Sequence, residues 1–324
     1  MKLPQTHGGS DSGPAVAHDF STNANPLGPP PALWQAVQNA DRQRYTDPAY
    51  LALRERLGAA HGVSPAQILP ASGGAEAIRR LSLAALLQGL REVWVPQPGF
   101  GDYAEAAMAL GMTVHSYAEE ASLKPTGPAL IWICEPCNPT GASLGSAALA
   151  RIAIATPGCW RVIDSAYEPL RLHGEASTVP PTFWQLHCPN KALGLTGVRA
   201  AYLIAADPAE AAAVQSLAAS WVLSAEGVSM LMLWQEEATQ TWLATCREQL
   251  RVWTTEQRAR LASLGWQQAP SDTPFWLARP TQDLTPLRAL GIKLRDAASF
   301  GLPGFVRIAT LPPASQHALL KALQ

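Results

Sequence analysis

The sequence predicts an α/β fold with a mostly parallel central sheet sandwiched by helices, followed by a smaller α+β unit. Two patterns carry that prediction. Between residues 67 and 204, short apolar runs alternate with stretches of helical period, the order expected of successive β–α units. After a long Ala- and Leu-rich helical stretch over 208–265, three more short apolar runs follow without that alternation.

At 324 residues the chain has room for about two domains and for a core that needs no disulfide or metal staple. Lys and Arg number 24 against 25 Asp and Glu, a net charge of −1, which provides no positive field for nucleic acid or an anionic membrane. The expected partner is a small molecule. Charged residues make up only 15% of the chain and apolar ones 48%, a composition that suits burial against another subunit. The start has no apolar leader core, and no apolar run approaches the ~18–20 residues that cross a bilayer, so a soluble, cytoplasmic protein is expected. Five irregularly spaced cysteines predict reduced thiols rather than a disulfide framework. Cys134 and Cys137 form a CxxC, but there is no second pair, and no metal site is assigned.

Residues 1–30 are rich in Gly, Pro, Ser and Asn and lack a hydrophobic period, which predicts an extended arm whose polar residues are candidates for chemistry. Helical period begins at Pro31, with Leu33, Trp34 and Val37, and again from Pro48 through Leu51, Leu53 and Leu57 to Gly62. Tyr45-Thr46-Asp47-Pro48 marks the turn between them. Strands are expected over 68–70, 93–95, 114–116, 129–134, 160–163 and 200–204, with helices opening at Gly74, Tyr103 and Ser146. The later strand-like runs fall at 274–277, 291–294 and 305–308. The expected division is an arm with part of a small domain (1–44), a large domain (45–220) and a C-terminal small α+β domain (221–324).

In such sheets ligands sit at the carboxyl ends of the strands, so the polar residues there are the candidates. Gly73 and Gly74 follow a strand and open a helix, where free backbone N–H groups at Gly74 and Ala75 favour an anion; a glycine pair here also suits a plain turn. Asn138 comes off the strand over 129–134 with Pro139 behind it. Asp164 ends the strand before Tyr167, placing a carboxylate and a phenol on one rim, although a carboxylate there can equally cap a helix. Lys191 stands in a run almost devoid of charge, where desolvation would lower its proton affinity as a Schiff-base amine requires; the alternative is a snorkelling surface lysine. Arg295 and Arg307 each follow apolar residues inside strand-like text, and two inward arginines fit a substrate with two acidic groups.

Taken in order, Asn138-Pro139-Thr140-Gly141, Asp164-Ser165-Ala166-Tyr167 and Lys191 with Arg199 resemble the fold-type I pyridoxal-phosphate enzymes, the aspartate-aminotransferase superfamily. Within it the chain is most similar to histidinol-phosphate aminotransferases and to the threonine-phosphate decarboxylases of cobalamin biosynthesis. The resemblance implies pyridoxal 5′-phosphate as cofactor, Lys191 as its Schiff-base partner, and Asp164 as the partner of the pyridine nitrogen. It also implies Asn138 and Tyr167 at the ring's phenolic oxygen, Phe100 stacked on the ring with Tyr103 as second choice, and Gly74, Ala75 and Arg199 at the cofactor phosphate. Tyr45 would reach the phosphate of a neighbouring subunit, implying a homodimer with shared sites. Asn190 and Ala75 stand where the family usually carries hydroxyl residues, which implies a weaker or differently shared phosphate grip.

The segments His7-Gly8-Gly9, 19–30 and 294–307 resemble the decarboxylases in particular. That likeness implies Arg307 with Asn138 at the substrate carboxylate, and Arg295 with His7 and Gly8 at the substrate phosphate. The activity implied is decarboxylation of L-threonine O-3-phosphate to (R)-1-aminopropan-2-ol O-2-phosphate. The alternative is an aminotransferase acting on histidinol phosphate or another amino acid, which needs the same residues. A non-catalytic interaction protein would show a lost lysine or an added nucleic-acid-binding segment, and the sequence has neither.

Overall fold

The computed structural model describes residues 7–324. The arm contributes a two-residue strand, β1 (His18–Asp19), and then come α1 (Pro31–Gln38) and α2 (Leu51–His61). α1 opens on a proline, whose missing N–H costs nothing in the first turn, and buries Leu33 and Val37. α2 stops at Gly62, whose left-handed φ of 66° suits a residue without Cβ. The alternating region follows as β2 (Ile68–Ala71), α3 (Gly74–Leu87), β3 (Glu92–Pro96), α4 (Asp102–Ala109), β4 (Thr113–Tyr117), β5 (Leu130–Cys134), α5 (Ser146–Ala155), β6 (Trp160–Asp164), β7 (Phe183–His187) and β8 (Ala201–Ile204).

The strands β2 to β8 form one sheet in the order β2-β8-β7-β6-β5-β3-β4. Neighbours are parallel except at β8, which runs antiparallel to both β7 and β2. Every residue of β5 is buried, as a strand covered on both faces must be, whereas the edge strand β4 exposes Thr113 and Ser116. Alternation along β5 feeds two cores: Leu130 and Trp132 pack with Leu81 and Trp184 on one face, and Ile131 and Ile133 with Leu149 and Phe183 on the other. From β3 the chain moves outward to β4, then returns to β5 on the other side of β3 and continues away through β6 and β7. The strand order therefore reverses at the carboxyl ends of β3 and β5, where open α/β sheets hold their ligands.

Two elements differ from the sequence expectation. β7 has no counterpart there, although it is a central strand, because its run of Phe183, Trp184 and Leu186 is interrupted by Gln185 and flanked by prolines. The stretch 208–265 is three helices rather than one: α6 (Pro208–Gln215), α7 (Ala225–Trp234) and α8 (Glu237–Ser263). Ser224 starts α7 by accepting the Gly227 N–H at 3.2 Å, a cap that ends any continuous helix. α8, with 27 residues, spans about 40 Å and buries a single stripe from Thr239 through Leu250 to Leu261.

The smaller unit contains β9 (Gln267–Gln268), β10 (Phe275–Arg279), β11 (Ile292–Lys293), β12 (Arg295–Asp296), β13 (Val306–Ala309) and α9 (Pro313–Leu323). Its antiparallel sheet runs β12-β13-β10-β9 over a core of Trp276, Ile308, Leu261 and Leu319. The run expected over 291–294 divides, because β11 leaves this sheet and pairs in parallel with β1, tying the arm to the unit through His18–Ile292 and Asp19–Lys293. Phe275 and Ala309 belong to the large core, so β10 and β13 meet the big sheet at its ligand-binding edge. Among the described residues, no helix is long and apolar enough to cross a membrane.

Candidate active site

A cavity of about 470 Å³ opens at that point of strand reversal. The loop after β3 supplies Phe100 and Asp102, the loop after β5 Asn138, and the end of β6 Asp164 and Tyr167. Asn190 and Lys191 follow β7, Gly74 and Ala75 open α3, and Arg199 precedes β8. Arg295 and Arg307 enter from the small sheet, and His7 and Gly8 from the arm. Of the residues expected from the sequence, Tyr45 is the exception: it is 80% exposed, stacked on Trp221 at 4.3 Å, and does not line the cavity.

Asp164 forms the floor, 6% exposed, accepting hydrogen bonds from the Tyr103 hydroxyl at 2.6 Å and the Ala166 N–H at 3.0 Å. Burial pushes its carboxyl above the ordinary value, against the opposing pull of Tyr103, Lys191 and the Ala166 N–H. Tyr103 is completely buried with its ring stacked on Trp132 at 4.8 Å, so it holds the carboxylate from below and does not cover a ligand ring. Phe100, set edge-on to it at 5.6 Å, lines the cavity together with Tyr167 and Phe300.

The Lys191 ammonium lies 5.3 Å from the centre of the Tyr167 ring and makes no hydrogen bond to a described residue. From the sequence alone, desolvation is expected to lower its proton affinity. Burial does act downward, but Tyr167, Cys188 and Asp164 outweigh it and leave the amine above its ordinary value. Two of these partners, Asp164 and Tyr167, reach it from the end of β6, and Cys188 stands three residues before it.

The start of α3 is shaped for an oxyanion. Gly73 holds φ 100°, and a Cβ there would lie 2.4 Å from the Arg199 guanidinium, which closes directly over the helix N-terminus. A Cβ on Gly74 would reach the Cys188 sulfur at 3.0 Å. The N-terminus of α3, its dipole and Arg199 thus converge on one spot, where the Gly74 N–H also faces the Cys188 sulfur.

Arg307 is the most constrained cation. It is 5% exposed, donates to the Asn138 side-chain oxygen and to the Ser21 carbonyl (2.6 Å), and makes no ion pair among the described residues. Burial pushes it down to about 10, still a full cation at neutral pH. Asn138 accepts from Arg307 through its oxygen and turns its amide N–H groups to a ligand as donors. Arg295 is the Cα partner of Arg307 across β12 and β13, donates to Ser299 at 2.7 Å, and lies 4.8 Å over the Phe300 ring. His7 sits at the rim with its Nε2 3.6 Å from Asp102, whose carboxyl burial pushes up.

Sequence reasoning misses Asn23, Asp102 and Phe300, all of which line the cavity. Asn23 is 4% exposed, and neither polar atom of its side chain has a hydrogen-bond partner among the described residues; the Asn190 side-chain oxygen is likewise unpartnered among them. Unmet buried polar groups are costly, so these atoms mark places that a polar ligand would fill. Asn23 stands inside the arm segment whose polar residues are candidates for chemistry, and that is the signal by which it could be found.

These features fit pyridoxal 5′-phosphate. A free amine at Lys191, a buried carboxylate at Asp164, an oxyanion cradle at Gly74, Ala75 and Arg199, and an aromatic wall at Phe100 could hold its carbonyl, pyridine nitrogen, phosphate and ring.

Comparison with known proteins agrees. Residues 17–323 match the family model for class I and II aminotransferases. A histidinol-phosphate aminotransferase of Ruegeria pomeroyi is 29% identical, over 94% of this chain and 90% of its own length. The histidinol-phosphate aminotransferase of Sinorhizobium meliloti, solved with pyridoxal-5′-phosphate, superposes with TM-score 0.82 at 22% identity, covering 95% of this chain and 90% of its own. L-threonine-O-3-phosphate decarboxylase of Porphyromonas gingivalis also gives 0.82, at 23% identity, covering 94% and 97%. The chain is a fold-type I, pyridoxal 5′-phosphate-dependent enzyme and belongs to the class I and II aminotransferase family.

Proposed function

We propose that the enzyme decarboxylates L-threonine O-3-phosphate to (R)-1-aminopropan-2-ol O-2-phosphate, the step used in cobalamin biosynthesis. The observation that carries this reading is the pair Arg295 and Arg307, register partners that enter one cavity beside Lys191. Two cations on the same wall suit a substrate bearing both a carboxylate and a phosphate. Arg307, fixed by Asn138 and Ser21, takes the carboxylate, and Arg295 with His7 and Gly8 takes the phosphate. That grip would fix the substrate at both ends, its carboxylate at Arg307 and its phosphate at Arg295.

The bound cofactor supplies an electron-accepting ring for the pair that CO₂ leaves on Cα. Asp164, supported by Tyr103, keeps a proton on the pyridine nitrogen. Lys191 yields its place to the substrate amine and, as the nearest amine, carries the proton that Cα then receives. Tyr167 and Asn138 would hydrogen-bond at the phenolic oxygen, and Phe100 would cover the ring. The exposed Tyr45, with Trp221 behind it, serves the site of a second subunit in a homodimer.

A second reading, transamination of histidinol phosphate, is favoured by the name of the Ruegeria relative. The two separate on one experiment. Loaded enzyme is incubated with threonine phosphate, with and without an α-keto acid, and CO₂ is measured. Release without keto acid supports the decarboxylase, whereas turnover that requires keto acid and yields no CO₂ supports the aminotransferase.

A further inference from the structure

Outside the cavity, a second feature acts on the arm that forms part of its wall. Asp11 accepts from Arg288 at 2.6 Å on one oxygen and from Lys293 at 2.7 Å on the other. Both cations also reach the arm backbone: Arg288 donates to the Pro14 carbonyl at 2.6 Å, and Lys293 donates to the Gly9 carbonyl. Lys293 lies in β11, already paired with β1, and Arg288 lies in the helical turn just before it. Residues 10–16, by contrast, make no backbone-to-backbone hydrogen bond to a described residue. The segment between the cavity and β1 is therefore held by side chains, and Asp11 is where they meet.

The consequence is felt at Gly8. Its backbone rests against the Ser21 carbonyl, where a Cβ would come within 2.0 Å, and beside Arg307, where it would come within 3.1 Å. Gly9 is tied by its N–H to Ser21 Oγ at 2.9 Å. Slack in residues 10–14 would bear on His7 and Gly8 through Gly9, since among the described residues the hydrogen bonds from that stretch to residues beyond the arm all run through Arg288 and Lys293.

We propose that Asp11 is a positioning residue for substrate binding: clamped by Arg288 and Lys293, it holds His7 and Gly8 in the cavity wall against the substrate phosphate. This rests on the reading of the cavity as a site for a phosphorylated amine. Hydrogen bonds from Lys293, the Gly13 N–H and Arg288 keep the Asp11 carboxyl at about 2, so the clamp is charged at any working pH. An exposed ion pair adds little to global stability, and the clamp's effect is local: it removes freedom that the arm would otherwise lose on binding substrate.

The test compares Asp11→Asn and Asp11→Glu with the parent holoenzyme by two readouts. Hydrogen exchange of the arm peptide, without substrate, reports the clamp: Gly9 and Gly13 amides exchange faster in Asp11→Asn, with α3 and α8 unchanged, and Asp11→Glu restores protection. Kinetics with threonine phosphate report the consequence: KM rises about tenfold, equivalent to ~1.4 kcal/mol, while kcat stays within about twofold, and Asp11→Glu recovers most of the loss. If decarboxylation is not observed, histidinol phosphate with a keto acid replaces it, which separates failure of the decarboxylase reading from failure of this one. Unchanged exchange, or faster exchange with unchanged KM, overturns the proposal. A parent enzyme that uses neither phosphate ester overturns it together with the phosphate reading.

Discussion

Replacing Tyr103 by Phe removes one oxygen and leaves the ring stacked on Trp132, so the change isolates the 2.6 Å hydrogen bond to Asp164. Both groups are buried, and the carboxylate keeps only the Ala166 N–H at 3.0 Å as a direct donor. A hydrogen bond to a charged acceptor contributes about 1.5–3 kcal/mol, equivalent to roughly one to two pKa units. The donor favours the ionised form, so its loss raises the Asp164 carboxyl further above its ordinary range. An ionised Asp164 is what pairs with the protonated pyridine, hence cofactor affinity is present above the carboxyl pKa and lost as pH falls through it. Titrating apo-protein with pyridoxal 5′-phosphate across pH, followed by absorbance, should show the acid loss of binding displaced upward by about one to two pH units in the variant. Coincident acid limbs in parent and variant, with both proteins folded, would refute the role given to Tyr103.

Other consequences are equally open to measurement. Lys191→Ala should fold normally but lose turnover and the cofactor's absorbance band, because only a primary amine can make the imine; after borohydride treatment of the parent, mass spectrometry should find the pyridoxyl group on Lys191, and finding it on Lys124 or Lys293 would contradict the site. Arg295→Ala should raise the KM for threonine phosphate by a factor equivalent to ~2–5 kcal/mol while affecting plain threonine, a poor substrate, far less; equal losses for both would assign Arg295 to the fold. His187 is half-buried, its ring stacked on Tyr202 at 4.9 Å beside His61, and desolvation together with His61 pushes it down from 6.5 to about 3. Between those values only the unfolded chain takes up its proton, so stability falls as pH drops through that window, and urea unfolding of His187→Phe should show a flatter acid dependence.

The parts of the site that are continuous along the chain are legible in the sequence. The glycine pair opening α3, Asn138 after β5 and Asp164 at the end of β6 each follow from a strand that stops and a polar residue that begins. The strand β7 is not legible, since periodicity is weak in five residues broken by Gln185, yet its end is what delivers Lys191 to the cavity. The single helical stretch over 208–265 conceals two breaks because alanine and leucine suit any helix, and the Ser224 cap competes only locally. The charge state of Lys191 escapes sequence reasoning for a different reason. Asp164 and Tyr167 come from the end of β6, and pairing across a fold leaves no local trace, while the third neighbour, Cys188, stands only three residues before Lys191. The same holds for Tyr103, which looks like one more aromatic beside Phe100 until the fold sets its hydroxyl beneath Asp164.

The choice of which bond at Cα breaks is the centre of the account, and deuterium labelling reads it directly. Threonine phosphate is turned over by the loaded enzyme in D₂O without keto acid, and both product and residual substrate are examined by NMR. Loss of the carboxylate followed by one proton transfer to Cα predicts 1-aminopropan-2-ol phosphate with a single deuterium on C1, its original Cα hydrogen retained, and residual substrate unlabelled at Cα. Residual substrate that has exchanged its Cα hydrogen for deuterium, with no aminopropanol phosphate formed, would contradict it and assign the site to transamination.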